Sequence, residues 1–269
     1  MLRPSGKEGS TKEERAPLLP SSRSVRLAAP SSVPLSLPPP PSARLDGGPS
    51  PGEPAIGAKR ERNAAATKVR ILDAGEREFA ARGFAGARLR EIAETAGVQP
   101  ALIHHYFTDK QGLYRAVVDR ALLPTSTQSW SLLGSRRDLE GLLTGFIDLL
   151  LHFYAANRNL LSILRHEALS GSTVLGELTR ERTLPIIEAL TRFLEERQAA
   201  GEVRSDVAAN EIIVAGMSMV AYPFVEEDMF EVMMPGLVVR DEAALERRKQ
   251  AILDLLLAAI RPPRPRPRR

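Results

Sequence analysis

An all-α fold in two unequal parts follows from three features of this 269-residue chain. Apolar residues recur at helical spacing from about residue 64 to residue 260, and the alternating apolar–polar runs of strands are missing. Charge is divided unevenly: residues 59–122 carry 12 basic against 8 acidic side chains, whereas residues 123–260 carry 13 against 20. A basic module ahead of an acidic body points to a nucleic-acid-binding end and a body that does not bind it.

The flanks and the bulk composition narrow the class. Residues 1–58 hold 12 of the 21 prolines, Pro38–Pro41 among them, with Ser and Gly filling much of the rest. Such a stretch cannot bury enough apolar surface to offset chain entropy; it reads as a disordered extension or an over-extended translation start. Residues 261–269 hold five arginines and no acid, an extended basic tail. The absence of cysteine excludes disulfides, thiol catalysis and cysteine-based zinc sites. No run of about 18 apolar residues is evident, and no apolar signal segment opens the chain, so no membrane partner is expected and the cytoplasm is the expected compartment.

The elements follow in order. Ile71, Leu72, Gly75 and Phe79 share one helical face, predicting a helix over 64–82 that stops at Gly83. Leu89, Ile92, Ala93 and Ala96 form a second, short face closed by Gly97. Pro100 suits the first turn of a third helix, where a missing N–H costs nothing, and Ile103 and Phe107 supply its inner face. Asp109 caps a fourth helix over 110–122. Further helices are predicted at 139–156, 160–170, 174–199, 207–224 and 241–260, with breaks at Gly201 and Pro235–Gly236.

Arg88 to Phe107, RLREIAETAGVQPALIHHYF, is two short helices around a tight turn, a helix-turn-helix. Ala93 is small where the helices cross, Gly97 permits the positive φ of the turn, and Val98 and Ile103 plug the joint. His104, His105 and Tyr106 are left to face outward. Such a unit lays its second helix in the major groove of DNA.

These segments resemble the TetR family of transcription regulators over residues 63–122: "ILDAGEREFAARGF", then "LREIAETAGV", then "PALIHHYFTDKQGLYRAVV". The resemblance implies a DNA-binding domain over 63–122 and a ligand-binding and dimerisation domain over 123–260. It implies base reading by Gln99, Pro100, Ala101, Leu102 and His105, and backbone contacts by His104 and Lys110. Tyr106 stands where many members carry histidine, and Arg88 and Gln99 stand where they carry Thr and Ser caps. Independently of the family, Pro100, Ala101 and Leu102 can offer bases only apolar contact, such as packing on thymine methyls. Arg88 and Lys110, with Lys59, Arg60 and Arg62, can neutralise phosphates.

The implied partners are a double-stranded operator, a second copy of the chain and a small-molecule effector. Dimerisation fits the apolar surplus of Ile252, Leu253, Leu255, Leu256, Leu257 and Ile260, set beside Ile212, Ile213, Val214 and Met217. Effector contacts are sought among His152, Tyr154, Arg165, His166, Met217, Met219, Tyr222 and Phe224. No cofactor is expected. Alternatives are a ligand-independent or architectural DNA-binding regulator and a helical enzyme. Against the enzyme stand four histidines only and no HExxH, GxxxxGK[ST] or GxSxG motif.

Overall fold

Helix begins earlier than proline content implies: α1 spans Pro54–Gly86, opening ten residues ahead of the predicted start and taking in residues 54–58 of the predicted extension. The computed structural model describes residues 54–135, 138–170 and 174–262, with side chains from residue 60 onward apart from 169 and 170. The rest of the predicted extension, most of the basic tail and the Lys59 side chain lie outside the described residues.

Ten helices follow among the described residues. They are α2 (Leu89–Ala96), α3 (Pro100–Phe107), α4 (Lys110–Gly134), α5 (Leu139–Ala156), α6 (Arg158–Ser170), α7 (Val174–Arg182), α8 (Leu184–Ala199), α9 (Ala209–Val225), α10 (Glu227–Met233) and α11 (Glu242–Ile260). No strand is present among the described residues.

Two predicted boundaries are corrected. The fourth helix runs on past Leu122, through Pro124, to Gly134. A mid-helix proline removes one backbone donor and crowds the preceding turn. Here the Ser126 and Thr127 hydroxyls donate to the adjacent Leu123 carbonyl at 2.9 and 2.8 Å, and both halves of α4 pack, the first through Leu113 and Val117 and the second through Leu132 and Leu133, with α1, α5, α7 and α8 as neighbours. The predicted 174–199 helix is two, α7 and α8, parted at Thr183, with Pro185 in the first turn of α8. The short α10 lies in a stretch for which no helix was predicted.

Two main apolar cores hold the fold. The first joins α1–α4 to α6 and α7 through Ile71, Phe79, Ile92, Ile103, Leu113 and Leu178, all shielded from solvent. It crosses the predicted boundary at residue 122, because α6 lies along α1 and α7 along α4. The second packs α5, α8, α9 and α11 through Leu151, Leu194, Ile213, Val220, Ile252 and Leu256. The 18-residue α5 is long and apolar enough to cross a membrane by composition alone, yet Leu142, Leu143, Phe146, Ile147 and Leu151 are buried within the bundle.

Candidate nucleic-acid interface and internal cavity

The reader is built from α2, the turn and α3. Ile92, Ala93 and Ala96 of α2 and Ile103 and Phe107 of α3 are buried, each large side chain contributing ~1.5–3 kcal/mol through apolar burial. Between them Gly97 takes φ 64°, ψ 43° and its N–H closes on Ala93 and Glu94 carbonyls. That left-handed geometry carries a steric penalty for residues with a Cβ.

The outer face of α3 presents Gln99, Pro100, Ala101, His104 and His105 to solvent, with Leu102 and Tyr106 half-buried. His104 Nδ1 lies 2.9 Å from the Thr108 carbonyl, leaving Nε2 outward. Tyr106 packs against the first core and its ring sits 5.1 Å from that of His105. Neither Arg88 nor Gln99 caps its helix with its side chain. In place of a cap, Glu78 accepts from the Arg88 backbone N–H at 3.4 Å.

Lys110 opens α4 and is only partly free. Its ammonium donates to the Ala85 carbonyl at 3.3 Å and lies 4.8 Å from the centre of the Phe84 ring. Desolvation lowers its pKa, with Glu78 opposing the shift; two of its three donors are left for a phosphate. Just ahead of it Thr108 holds φ 68°, ψ −57°, and the Asp109 N–H reaches the Phe107 carbonyl at 2.7 Å. This is a strained γ-turn, unusual for a β-branched residue. Asp109 then caps α4 by accepting from the Gly112 N–H at 2.7 Å.

Two basic residues of α1 were not singled out from the sequence. Arg70 and Thr67 border a groove with Gly97, Gln99 and Leu102, and Lys68 lies 5.8 Å from the Phe107 ring. Their signal was position: both sit within one turn ahead of Ile71, and Arg70 borders the turn at Gly97.

Within the body a cavity of about 410 Å³ opens between α4, α5, α6, α7, α8, α9 and α11, with Leu164 the contribution of α6. Of the eight effector candidates, Tyr154 and Met217 line it and six do not. His152 is exposed on α5, 2.8 Å from the Asp148 carbonyl and beside Glu242. Arg165 is exposed and donates to the Val225 carbonyl. His166 turns toward α1, its ring 3.1 Å from where a Gly83 Cβ would stand. Met219 and Tyr222 are exposed. Phe224 is buried and stacks on Tyr154 at 6.0 Å, outside the lining. Helix rotation explains why the six miss the wall: one face of α5, α6 or α9 lines the cavity, and these residues lie on others.

The expected apolar surplus is also redistributed. Ile252, Leu253, Leu256 and Ile260 are buried within the chain, because α11 packs against α5 and α9, and Ile212 and Ile213 line the cavity. The part of the expected set that stays exposed is Val214 of α9 and Leu255 of α11, joined by Met219 and Tyr222 of α9 and by the 229–238 stretch, where Val232 is 81 % exposed.

A two-helix reader with a solvent-facing second helix, carried on an all-helical body around an apolar cavity, defines a helix-turn-helix DNA-binding transcription regulator. Residues 71–117 match the family described as bacterial regulatory proteins, tetR family, and residues 141–256 match the tetracyclin repressor-like C-terminal domain. The chain is 29 % identical over 177 residues to the HTH-type transcriptional repressor SCO4008 of Streptomyces coelicolor, covering 65 % of this chain and 87 % of that protein. It is 44 % identical over 64 residues to the regulator RutR of Escherichia coli, 24 % of this chain and 30 % of that one. In fold it is similar to the fatty acid degradation regulator FadR of Bacillus halodurans, with TM-score 0.57 and 18 % identity over 72 % of this chain and 96 % of that one. It is likewise similar to a mutant of HlyIIR, with TM-score 0.54 and 20 % identity over 73 % and 98 %. The chain belongs to the TetR family of helix-turn-helix transcription regulators.

Proposed function

We propose that the protein is a ligand-responsive repressor that binds a palindromic operator as a homodimer, in the cytoplasm and on the nucleoid, with no catalytic activity of its own. Residues 63–122 serve as reader; residues 123–260 sense the effector and dimerise. DNA contacts fall to Gln99, Pro100, Ala101, Leu102 and His105 on bases, and to Arg88, His104, Tyr106 and Lys110 on the backbone.

The observation that carries the reading is the pairing of an exposed α3 face with an unpartnered apolar stripe on α9 and α11. Val214, Met219, Tyr222 and Leu255 are each at least 37 % exposed in a single protomer. A two-fold pairing of that stripe would join two readers, and two readers require half-sites about 34–36 Å apart. The cavity supports the sensing half: its apolar walls and few hydroxyls suit a small molecule.

The test is sedimentation of the wild type beside Leu255→Glu. Leu255 is 62 % exposed in the protomer, so the substitution leaves the protomer's own packing in place. The wild type should sediment as a dimer and protect two symmetric half-sites; the variant should be monomeric and lose operator affinity. A wild-type monomer protecting one isolated half-site would refute the proposal.

A further inference from the structure

The wall of the body cavity carries no ionisable group except the phenol of Tyr154: among its lining residues there is no Asp, Glu, Lys, Arg or His. Burial raises the pKa of that phenol, so it is neutral. The remaining polarity is collected on one side. Helix α4 brings Leu122, Thr125, Ser126 and Ser129 to the wall, and α7 with the start of α8 brings Leu175, Thr179 and Thr183. Each set follows a single helical face, and α4 packs along both α7 and α8, so the two hydroxyl rows oppose each other. Ser126 and Ser129 already donate to the Leu123 and Thr125 carbonyls, each at 2.9 Å, and can therefore only accept. The hydroxyls of Thr125, Thr179 and Thr183 make no hydrogen bond to another described residue. The far wall, from α9 and α11, is aliphatic: Ile212, Ile213, Gly216, Met217, Val220 and Leu256.

We propose that this cavity takes an uncharged amphiphile, with an aliphatic body against α9 and one hydroxyl or carbonyl headgroup between the hydroxyl rows of α4 and α7. The inference rests on the reading of the cavity as the effector site and adds the class of effector. At about 410 Å³ the space falls within the roughly 300–1,000 Å³ range of small-molecule sites, toward its lower end, which suits a medium-chain alcohol. An ionised headgroup would shed its hydration with no counter-charge in the wall to replace it. A neutral hydroxyl exchanges water for threonine hydroxyls at little cost.

The full chain, without DNA, is titrated calorimetrically with 1-decanol, decanoate and decyltrimethylammonium, each below its micelle threshold. The alcohol should bind at least tenfold more tightly than either ion. Absence of alcohol binding, or equal or tighter binding of either ion, overturns the proposal. Thr179→Lys changes an exposed position at the polar side and should move the preference toward decanoate by tenfold or more; an unchanged ratio overturns the headgroup placement. Operator titrations in the presence and absence of 1-decanol are read separately. Alcohol that binds yet leaves operator affinity unchanged would sink the effector reading and leave the ligand class standing. Weakening of the operator complex by decanoate but not decanol would do the reverse.

Discussion

Alanine at Gly83 should destabilise the protein more than alanine at Gly97, although the two φ values, 65° and 64°, are nearly equal. The difference lies in ψ and in the surroundings. Gly97 has ψ 43°, the left-handed helical region, where an L-residue costs ~1–2 kcal/mol. The nearest atom to its new Cβ would be Arg70 Nη1 at 4.0 Å, so nothing further is added. Gly83 has ψ 176°, a region populated almost solely by glycine, where strain costs ~1–3 kcal/mol. Its Cβ would also stand 3.1 Å from His166 Cγ and 3.2 Å from Cβ and Nδ1, and overpacking of this kind adds ~1 kcal/mol or more. The expected losses are therefore ~1–2 kcal/mol at Gly97 and ~2–4 kcal/mol at Gly83. At ~2–4 °C per kcal/mol for a chain of this size, thermal unfolding followed by far-UV circular dichroism resolves them. His166→Ala removes two of the three close contacts, so it should restore part of the Gly83→Ala loss and none of the Gly97→Ala loss. If Gly83→Ala melts no lower than Gly97→Ala, the close approach of α6 to Gly83, where the backbone of α1 leaves the helical region, is wrong.

Lys110→Ala should weaken binding to all DNA sequences alike and lower the salt dependence by about one phosphate's worth, measured by anisotropy at several salt concentrations; loss confined to one operator would mean that Lys110 reads bases. Thr108→Gly should raise stability by ~1 kcal/mol in urea unfolding, because relief of positive-φ strain exceeds the added chain entropy. For His152, the hydrogen bond to the Asp148 carbonyl leads the causes that raise the pKa, with Asp148 and Glu242 reinforcing it against desolvation. Its stabilising effect is therefore complete below about pH 6.5 and fades as pH rises through the higher folded value; His152→Ala should flatten stability over that window. Glu227 runs the other way. Burial opposes its charge, but hydrogen bonds from Arg240 and Arg158 outweigh burial and lower its pKa, so its contribution is held above about pH 4.5 and lost as pH falls through the folded value. Arg240→Met should reduce that acid sensitivity.

The reader was legible because its signals are local. Gly97 at a positive-φ turn, Pro100 in a first turn and Asp109 at a cap each act within four residues of themselves. The body was legible as helices but not as a site. Its cavity draws single faces from seven helices, and an apolar residue lining a cavity is of the same type as one filling a core. Histidines and arginines attracted notice as chemistry, yet His152 and Arg165 face outward and His166 faces α1. The polar groups that do reach the cavity, such as Thr125 and Thr183, are residue types too common to stand out. The fourth helix outran its expected end at Leu122 for a physical reason: the local cost of Pro124 is real, and long-range packing of α4 on both sides of it, through Leu113 and Val117 and through Leu132 and Leu133, overrides it.

Selection of binding sites from random duplexes, repeated with a Gln99→Ala/His105→Ala variant, tests the central claim that the exposed face of α3 reads the operator. Both residues are exposed, so the substitutions leave the core intact. The wild type should enrich a two-fold symmetric sequence bound about 10³-fold or more above random DNA, and the variant should relax or change the preferred bases within each half-site while keeping the half-site spacing. Enrichment of no sequence by the wild type, or an identical base preference in the variant, would contradict it.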